Sequence, residues 1–198
     1  NITIPRAPFQ IYQGSDSVDQ VKFSSAHFSG ADRKINKDGR CWYIPMLFNE
    51  LPYYWGINEK GIDIIFISVG PMDKYGNFNL GPQVADEWRA IKVARKVVVE
   101  VNENMPIAHG HQTQLNLYGV DYVVEGSNSP MDELFNKEPT KVDRYIAEYV
   151  VSQIDSHSTL QLGIGAIPDA VLMFLGEKKD LGIHSEMFTN TMMKMVEK

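Results

Sequence analysis

The feature that most constrains the fold is a nearly unbroken run of β-branched and aromatic residues, Gly61–Val69, which ends at Gly70-Pro71. Such a run predicts a strand covered on both faces, and we expect it to be central in its sheet. Helical spacing over Val84–Lys96 leads into a second apolar strand, Lys96–Val101, and a shorter strand follows at Tyr122–Glu125. Together they predict a right-handed β-α-β unit in a parallel sheet.

A second unit follows Ser127–Pro139, a polar, proline-bearing stretch that predicts a linker. Apolar residues at three- and four-residue spacing predict a helix from Thr140. Strand, loop, helix and strand then follow in turn, at Thr159–Leu162, Gly163–Pro168, Asp169–Leu175 and Gly182–Ser185. The sequence therefore predicts an α/β fold with an open, mostly parallel sheet and helices on both faces, divided into residues 1–139 and 140–198.

Composition narrows the classes of partner. The formal net charge of -6 and the absence of a Lys/Arg block argue against nucleic acid. No apolar run reaches the roughly 18 to 20 residues of a membrane span. The single cysteine, Cys41, cannot form an intrachain disulfide, which fits a cytoplasmic location.

The most distinctive local motif is a glycine loop, Gly163-Ile164-Gly165-Ala166-Ile167-Pro168, in which two glycines end a strand and a proline opens a helix. Small residues there let backbone N–H groups approach a ligand, and a helix N-terminus favours negative charge. The loop is a candidate anion or acyl cradle, although a tight connection without function gives the same pattern. It lacks the third glycine of the dinucleotide fingerprint, so a nicotinamide or flavin site is not indicated.

A second motif, His184-Ser185-Glu186, lies where the next strand is predicted to end, at the edge where ligands bind in such sheets. A carboxylate there can act as nucleophile, base or metal ligand, and a solvated glutamate at the start of a helix is the alternative without function. His184 and Glu186 would share one face of a strand, which leaves a metal pair open. We predict no metal site, either here or at His109-Gly110-His111.

Two further stretches have structural explanations. Asp73-Lys74-Tyr75-Gly76-Asn77 has the composition of a turn, and its place after a strand makes it a candidate rim of a ligand cleft. An aromatic stretch predicts core or an interface, which would suit a homo-oligomer, and consists of Trp42, Tyr43, Tyr53, Tyr54 and Trp55.

The glycine loop and the Glu186 motif together resemble the signature of the acetyl-CoA hydrolase/transferase family, and within it the 4-hydroxybutyrate and butyrate:acetate coenzyme A-transferases. The matching stretches are Leu160–Val171 and Asp180–Met187. Weaker resemblance extends upstream over most of the chain, at Tyr43-Ile44-Pro45 with Glu50-Leu51-Pro52, Ser68–Asp73 with Gly76, and Val99–Asn102 with Met105-Pro106.

The resemblance implies that Glu186 is a nucleophile in a ping-pong transfer of coenzyme A between a short-chain acyl-CoA and a carboxylic acid. Coenzyme A would be a substrate, with no bound cofactor. Substrate-binding residues would be Gln161, Gly163, Ile164, Gly165, Ala166, Ile167 and Pro168. An acyl-CoA hydrolase and a catalytically inert binding or assembly module are the alternatives.

The resemblance also implies a truncated chain, which lacks the family's first strand and helix and most of its second α/β domain, so we expect this piece alone to be inactive. Two departures from the family pattern bear on the acceptor acid. The chain has Gly70 where a second proline is frequent, and Asn190-Thr191 where aspartate-glycine is frequent.

Overall fold

The computed structural model describes residues 23–28, 30–37, 39–57, 61–85, 87–131 and 138–197. The strand-like segment at residues 1–4 lies outside the described residues. The chain divides into two compact units, the first ending at Met131 and the second taking the remainder. Both units have a mixed α/β architecture with parallel sheets, as the sequence predicts.

The first unit contains seven strands and three helices among its described residues. In chain order they are β1 (Phe23–Ser25), α1 (Gly30–Lys37), β2 (Cys41–Tyr43), α2 (Leu51–Ile57), β3 (Ile62–Val69), β4 (Asn77–Asn79), α3 (Glu87–Val93), β5 (Ala94–Val101), β6 (Gln114–Asn116) and β7 (Tyr122–Glu125). Short 3₁₀ turns lie at Phe48–Glu50 and Leu117–Gly119.

The main sheet of this unit is parallel, in the order β3-β5-β7. β3 therefore lies at the edge of the described sheet, and the expectation that it is central is wrong for this part of the chain. The predicted helix 84–96 is also too long, because α3 ends at Val93 and β5 starts at Ala94. Pairing of Ile62 with Ala94 starts the ladder there, so strand pairing overrides the helical spacing.

One face of this sheet forms the core of the first unit. The alternate residues of β3 and β5 that point to it pack with the antiparallel β4-β6 pair and with α3. The buried members are Ile67, Val69, Phe78, Leu80, Ile91, Val97, Val99 and Leu115. On the opposite face, Ile64 and Phe66 are exposed, Phe66 by 75%. The apolar run over β3 thus predicts the strand correctly, but the described residues cover one face of it.

The second unit contains α4 (Lys141–Ser152), β8 (Thr159–Leu160), α5 (Ala166–Phe174), β9 (Gly182–Ile183) and α6 (Asn190–Val196). A 3₁₀ turn at Leu175–Glu177 extends α5. As predicted, α4 begins after Thr140, whose hydroxyl accepts the Asp143 N–H while the Asp143 carboxylate accepts the Thr140 N–H. The hydroxyl of Thr140 also donates to that carboxylate, which lowers the pKa of Asp143.

The core of the second unit lies among the three helices and the short β8-β9 pair. Its buried members are Ala147, Ala170, Val171, Leu172, Leu175 and Met192. Only some of the apolar residues that predict α4 pack in this core, because Val142, Tyr145 and Tyr149 are exposed. In the part of the chain that the structure describes, no helix is both long and apolar enough to span a membrane.

Candidate functional site

The glycine loop and Glu186 leave neighbouring parallel strands at their carboxyl ends. In the β8-β9 pair, Thr159 lies beside Gly182 and Leu160 beside Ile183. The His184 N–H donates to the Leu160 carbonyl at 2.9 Å, which carries the ladder one step beyond the strands. The sheet therefore brings together the two motifs that the sequence singles out, although most of α5 and the rest of residues 169–183 separate them in the chain.

The glycine loop is shorter than predicted, because α5 begins at Ala166 instead of Asp169. Pro168 is the third residue of the helix, a position where its missing N–H breaks no helical hydrogen bond. Gln161 and Gly163 to Gly165 are exposed on the way into the helix. The loop thus presents accessible backbone and the free N–H groups of the first turn of a nine-residue helix.

Gly165 caps α5 in a conformation that side chains disfavour. Its φ of 138° and ψ of 177° lie in a region occupied almost solely by glycine. A Cβ added there would meet Pro168 Cδ at 3.9 Å, an ordinary contact, so the cost of a side chain comes from the backbone conformation and not from crowding. Gly163, two residues earlier, has open space around it and no positive φ.

This contrast predicts different results for two alanine variants. Gly165→Ala is expected to lose about 1–3 kcal/mol of stability or to rearrange the turn, and to slow any reaction that uses the loop. Gly163→Ala serves as the matched control and is expected to remain close to wild type in both respects. Thermal melting and steady-state rates of the two variants check this. Equal behaviour of the two variants would show that the conformation of Gly165 does not matter.

Glu186 lies in a bend, separated from the end of β9 by His184 and Ser185, and is exposed. Exposed apolar side chains flank it in the chain, at Met187 and Phe188, and others come from the glycine loop and the first turn of α5, at Ile164 and Ile167. A carboxylate at the carboxyl end of parallel strands, with exposed apolar side chains next to it in the chain and on the loop that follows the neighbouring strand, is suited to react with a ligand that carries an apolar part.

Two threonines after Glu186 anchor the segment to the core. Thr189 is buried and caps α6 by accepting the Met192 N–H, and the Thr191 hydroxyl donates to Asp169 at 2.9 Å. Asp169, only 7% exposed, lies in the first turn of α5, so this bond joins the helix after the glycine loop to the helix after Glu186. The sequence indicates the strand ends but gives no signal for this link.

The Asp73 turn has the structural role that its composition indicates. The Asp73 carboxylate accepts the N–H groups of Tyr75 and Asn77, each at 2.8 Å. These bonds, led by that of Asn77, hold the pKa of Asp73 below its ordinary value. Just before the turn, Pro71 and Met72 line a cavity of about 420 Å³ at the carboxyl ends of β5 and β7.

The remaining candidates from the sequence are the histidines and the aromatic stretch. His109 lines a second, more polar cavity of about 350 Å³ in the first unit. Within the described ranges, no group of three or more His, Cys, Asp and Glu side chains could hold a metal ion, at His184 and Glu186 or elsewhere. Trp42, Tyr43 and Tyr53 are exposed and are not core residues, and their role at an interface stays a prediction.

Comparisons with known proteins agree with the fold and with the family resemblance of the sequence. A profile of the acetyl-CoA hydrolase/transferase N-terminal domain matches residues 4–132. Butyryl-CoA:acetate CoA-transferase from Anaerostipes caccae is 37% identical over 187 residues, which cover 92% of this chain and 42% of that protein. 4-Hydroxybutyrate coenzyme A transferase from Clostridium kluyveri is 40% identical over 167 residues, which cover 84% of this chain and 38% of that protein.

Solved structures show the same relationship. RipA from Yersinia pestis matches with a TM-score of 0.82 at 28% identity, over 89% of this chain and 42% of that one. 4-Hydroxybutyrate CoA-transferase from Porphyromonas gingivalis matches with a TM-score of 0.75 at 28% identity, over 91% of this chain and 47% of that one. The chain spans about two fifths of the length of the curated relatives it matches. It belongs to the acetyl-CoA hydrolase/transferase family.

Proposed function

We propose that the protein transfers coenzyme A between a short-chain acyl-CoA and a carboxylic acid through a glutamyl-CoA thioester on Glu186. The observation that carries the proposal is the position of Glu186, an exposed carboxylate at the carboxyl end of β9, beside the strand that leads into the glycine loop. The names of the relatives, which are CoA-transferases for butyrate and 4-hydroxybutyrate, support the substrate class.

The proposed reaction has four acyl-transfer steps, in two pairs. The Glu186 carboxylate attacks the thioester carbonyl of the donor, and the coenzyme A thiolate leaves, giving an acyl-glutamyl anhydride. The thiolate then attacks the glutamyl carbonyl and expels the donor acid, which leaves coenzyme A on Glu186 as a thioester. The acceptor carboxylate attacks this thioester to form a new anhydride and release the thiolate, which attacks the acyl carbonyl and frees Glu186.

Each step passes through a tetrahedral oxyanion that needs hydrogen-bond donors. In our proposal, backbone N–H groups of the glycine loop and of the first turn of α5 contribute such donors, and Gln161 and the exposed apolar residues of the loop contact the acyl-CoA. The mechanism needs no bound cofactor, because the acyl group stays activated as a thioester or an anhydride throughout.

Hydrolysis of acyl-CoA is the second candidate. The observation in its favour is the exposure of Glu186 in the described residues, since water can resolve the same intermediates when no acid is bound. The two reactions differ in the acceptor. A transferase forms a new acyl-CoA only when a second carboxylic acid is present, whereas a hydrolase releases free coenzyme A without one.

The test is to trap the intermediate. The protein expressed from its complete open reading frame is incubated with acetyl-CoA and digested, and the peptide containing Glu186 is examined by mass spectrometry. We expect an adduct with the mass of coenzyme A less one water, lost in Glu186→Ala and discharged when butyrate is added. An unmodified Glu186 in an enzyme that still turns over would reject the nucleophile, and a wholly inactive enzyme would favour a binding or assembly module.

A further inference from the structure

The β8-β9 ladder ends at a serine side chain, immediately before Glu186. In a parallel pair, the next ladder bonds would run from the Leu162 N–H to the His184 carbonyl, and from the Glu186 N–H to the Leu162 carbonyl. Instead, the Ser185 hydroxyl donates to the Leu162 carbonyl at 2.7 Å and accepts the Leu162 N–H at 3.4 Å. The Ser185 hydroxyl thus replaces both of the backbone groups that would otherwise pair with the Leu162 N–H and carbonyl.

Because the Ser185 hydroxyl replaces these ladder bonds, the backbone of Glu186 is not held in the sheet. The Leu162 N–H and carbonyl bonds are partly buried, and polar backbone groups in such places are nearly always paired. Because Ser185 pairs both of them, the sheet does not require the Glu186 N–H. The chain bends at Glu186, and the residue stays exposed at the strand end.

We propose that Ser185 is a positioning residue for Glu186: its hydroxyl ends the ladder at Leu162 and so fixes the bend that presents the Glu186 carboxylate beside the glycine loop. The inference rests on the proposed function of Glu186. Ser185 takes no part in the covalent steps, and any side chain that carries a hydroxyl on Cβ, such as threonine, can fill the same role.

Removal of the hydroxyl has a specific structural consequence. In Ser185→Ala the Leu162 N–H and carbonyl lose their partner, and the nearest replacements are the His184 carbonyl and the Glu186 N–H. The ladder is therefore expected to extend by one step and draw Glu186 into strand β9. A reacting group displaced by about 1 Å commonly loses on the order of a hundredfold in rate, so we expect a ten- to hundredfold slower formation of the glutamyl-CoA adduct.

The experiment compares wild type, Ser185→Ala, Ser185→Thr and a matched control, Ser152→Ala. Ser152, the last residue of α4, also donates its hydroxyl to a backbone carbonyl at 2.7 Å, that of Tyr149. Single-turnover adduct formation with acetyl-CoA gives the rate, and fragment-resolved hydrogen exchange follows the Glu186 amide. We expect a slower rate at nearly unchanged KM and slower exchange at Glu186 in Ser185→Ala only, with Ser185→Thr close to wild type.

The two readouts separate the failure of this inference from that of the proposed function. No adduct on Glu186 in wild type would remove the proposed function, whereas the exchange comparison would still report on the ladder. An adduct that forms in Ser185→Ala at the wild-type rate would overturn the positioning role. So would unchanged exchange at Glu186, or a loss that Ser185→Thr shares with Ser185→Ala. A thermal melt of each variant confirms that it is folded.

Discussion

Replacing Glu186 with glutamine is expected to lower the rate of coenzyme A transfer by roughly a thousandfold or more, the scale on which enzymes respond to loss of a covalent nucleophile. Glutamine keeps the size and shape of the side chain but has no ionised oxygen to attack the thioester. Stability is expected to change by less than about 0.5 kcal/mol, because Glu186 is exposed in a bend. The measurements are steady-state turnover with acetyl-CoA and butyrate, and the melting temperature.

The matched control is Glu177→Gln. Glu177 is also exposed and ends the 3₁₀ turn after α5, on the connection that leads towards β9. The Glu177→Gln substitution removes the same charge from the same unit as Glu186→Gln. A general electrostatic effect on the anionic substrate would therefore appear in both variants. Turnover in Glu186→Gln within about tenfold of wild type, or an equal loss in Glu177→Gln, would contradict the role of Glu186.

The elements that the sequence predicts best are those that carry a local signal. Strand β3 is predicted at 61–69 and observed at Ile62–Val69, and β7 is predicted and observed at the same residues, Tyr122–Glu125. The start of α4 is also predicted correctly from the three- and four-residue spacing of its apolar residues, and in the structure Thr140 and Asp143 form a capping box there. Periodic runs and caps act locally, so a single sequence is enough to recognise them.

What the sequence leaves open depends on pairing and packing. The edge position of β3 in the described sheet follows from strand order, which no local pattern encodes. The start of α5 at Ala166 depends on Gly165 adopting a φ of 138°, and glycine permits many other conformations. The role of Ser185 appears only when β8 lies beside it, since its partner Leu162 is 23 residues away in the chain.

The candidate site itself could be predicted to the level of its motifs. That Glu186 and the glycine loop lie at strand ends follows from the strand-helix-strand order, because the carboxyl ends of parallel strands meet at one edge. The sequence predicts four residues for each of the two strands, whereas β8 and β9 have two each. Shorter strands leave Gln161 to Gly165 and His184 to Glu186 outside regular structure, where the Ser185 side chain bonds the backbone of Leu162.

The largest expected effect on stability comes from Phe78 in β4. The residue is 1% exposed and packs in the core of the first unit, where Phe78 pairs with Leu115 across the antiparallel β4-β6 pair. Truncation to alanine removes the ring and leaves a cavity in the core of the first unit. Phe78→Ala is therefore expected to reduce the free energy of unfolding by about 3–5 kcal/mol.

Phe66 provides the matched control for this prediction, because it is the same residue type in the same unit and lies on the opposite face of the sheet, 75% exposed. Phe66→Ala is expected to change stability by less than about 1 kcal/mol. Urea unfolding of both variants gives the comparison. Because the same ring is removed in each case, the difference between them measures burial and not residue type. If Phe66→Ala costs as much as Phe78→Ala, the second face of the sheet is covered, and the apolar run of β3 reports burial on both sides.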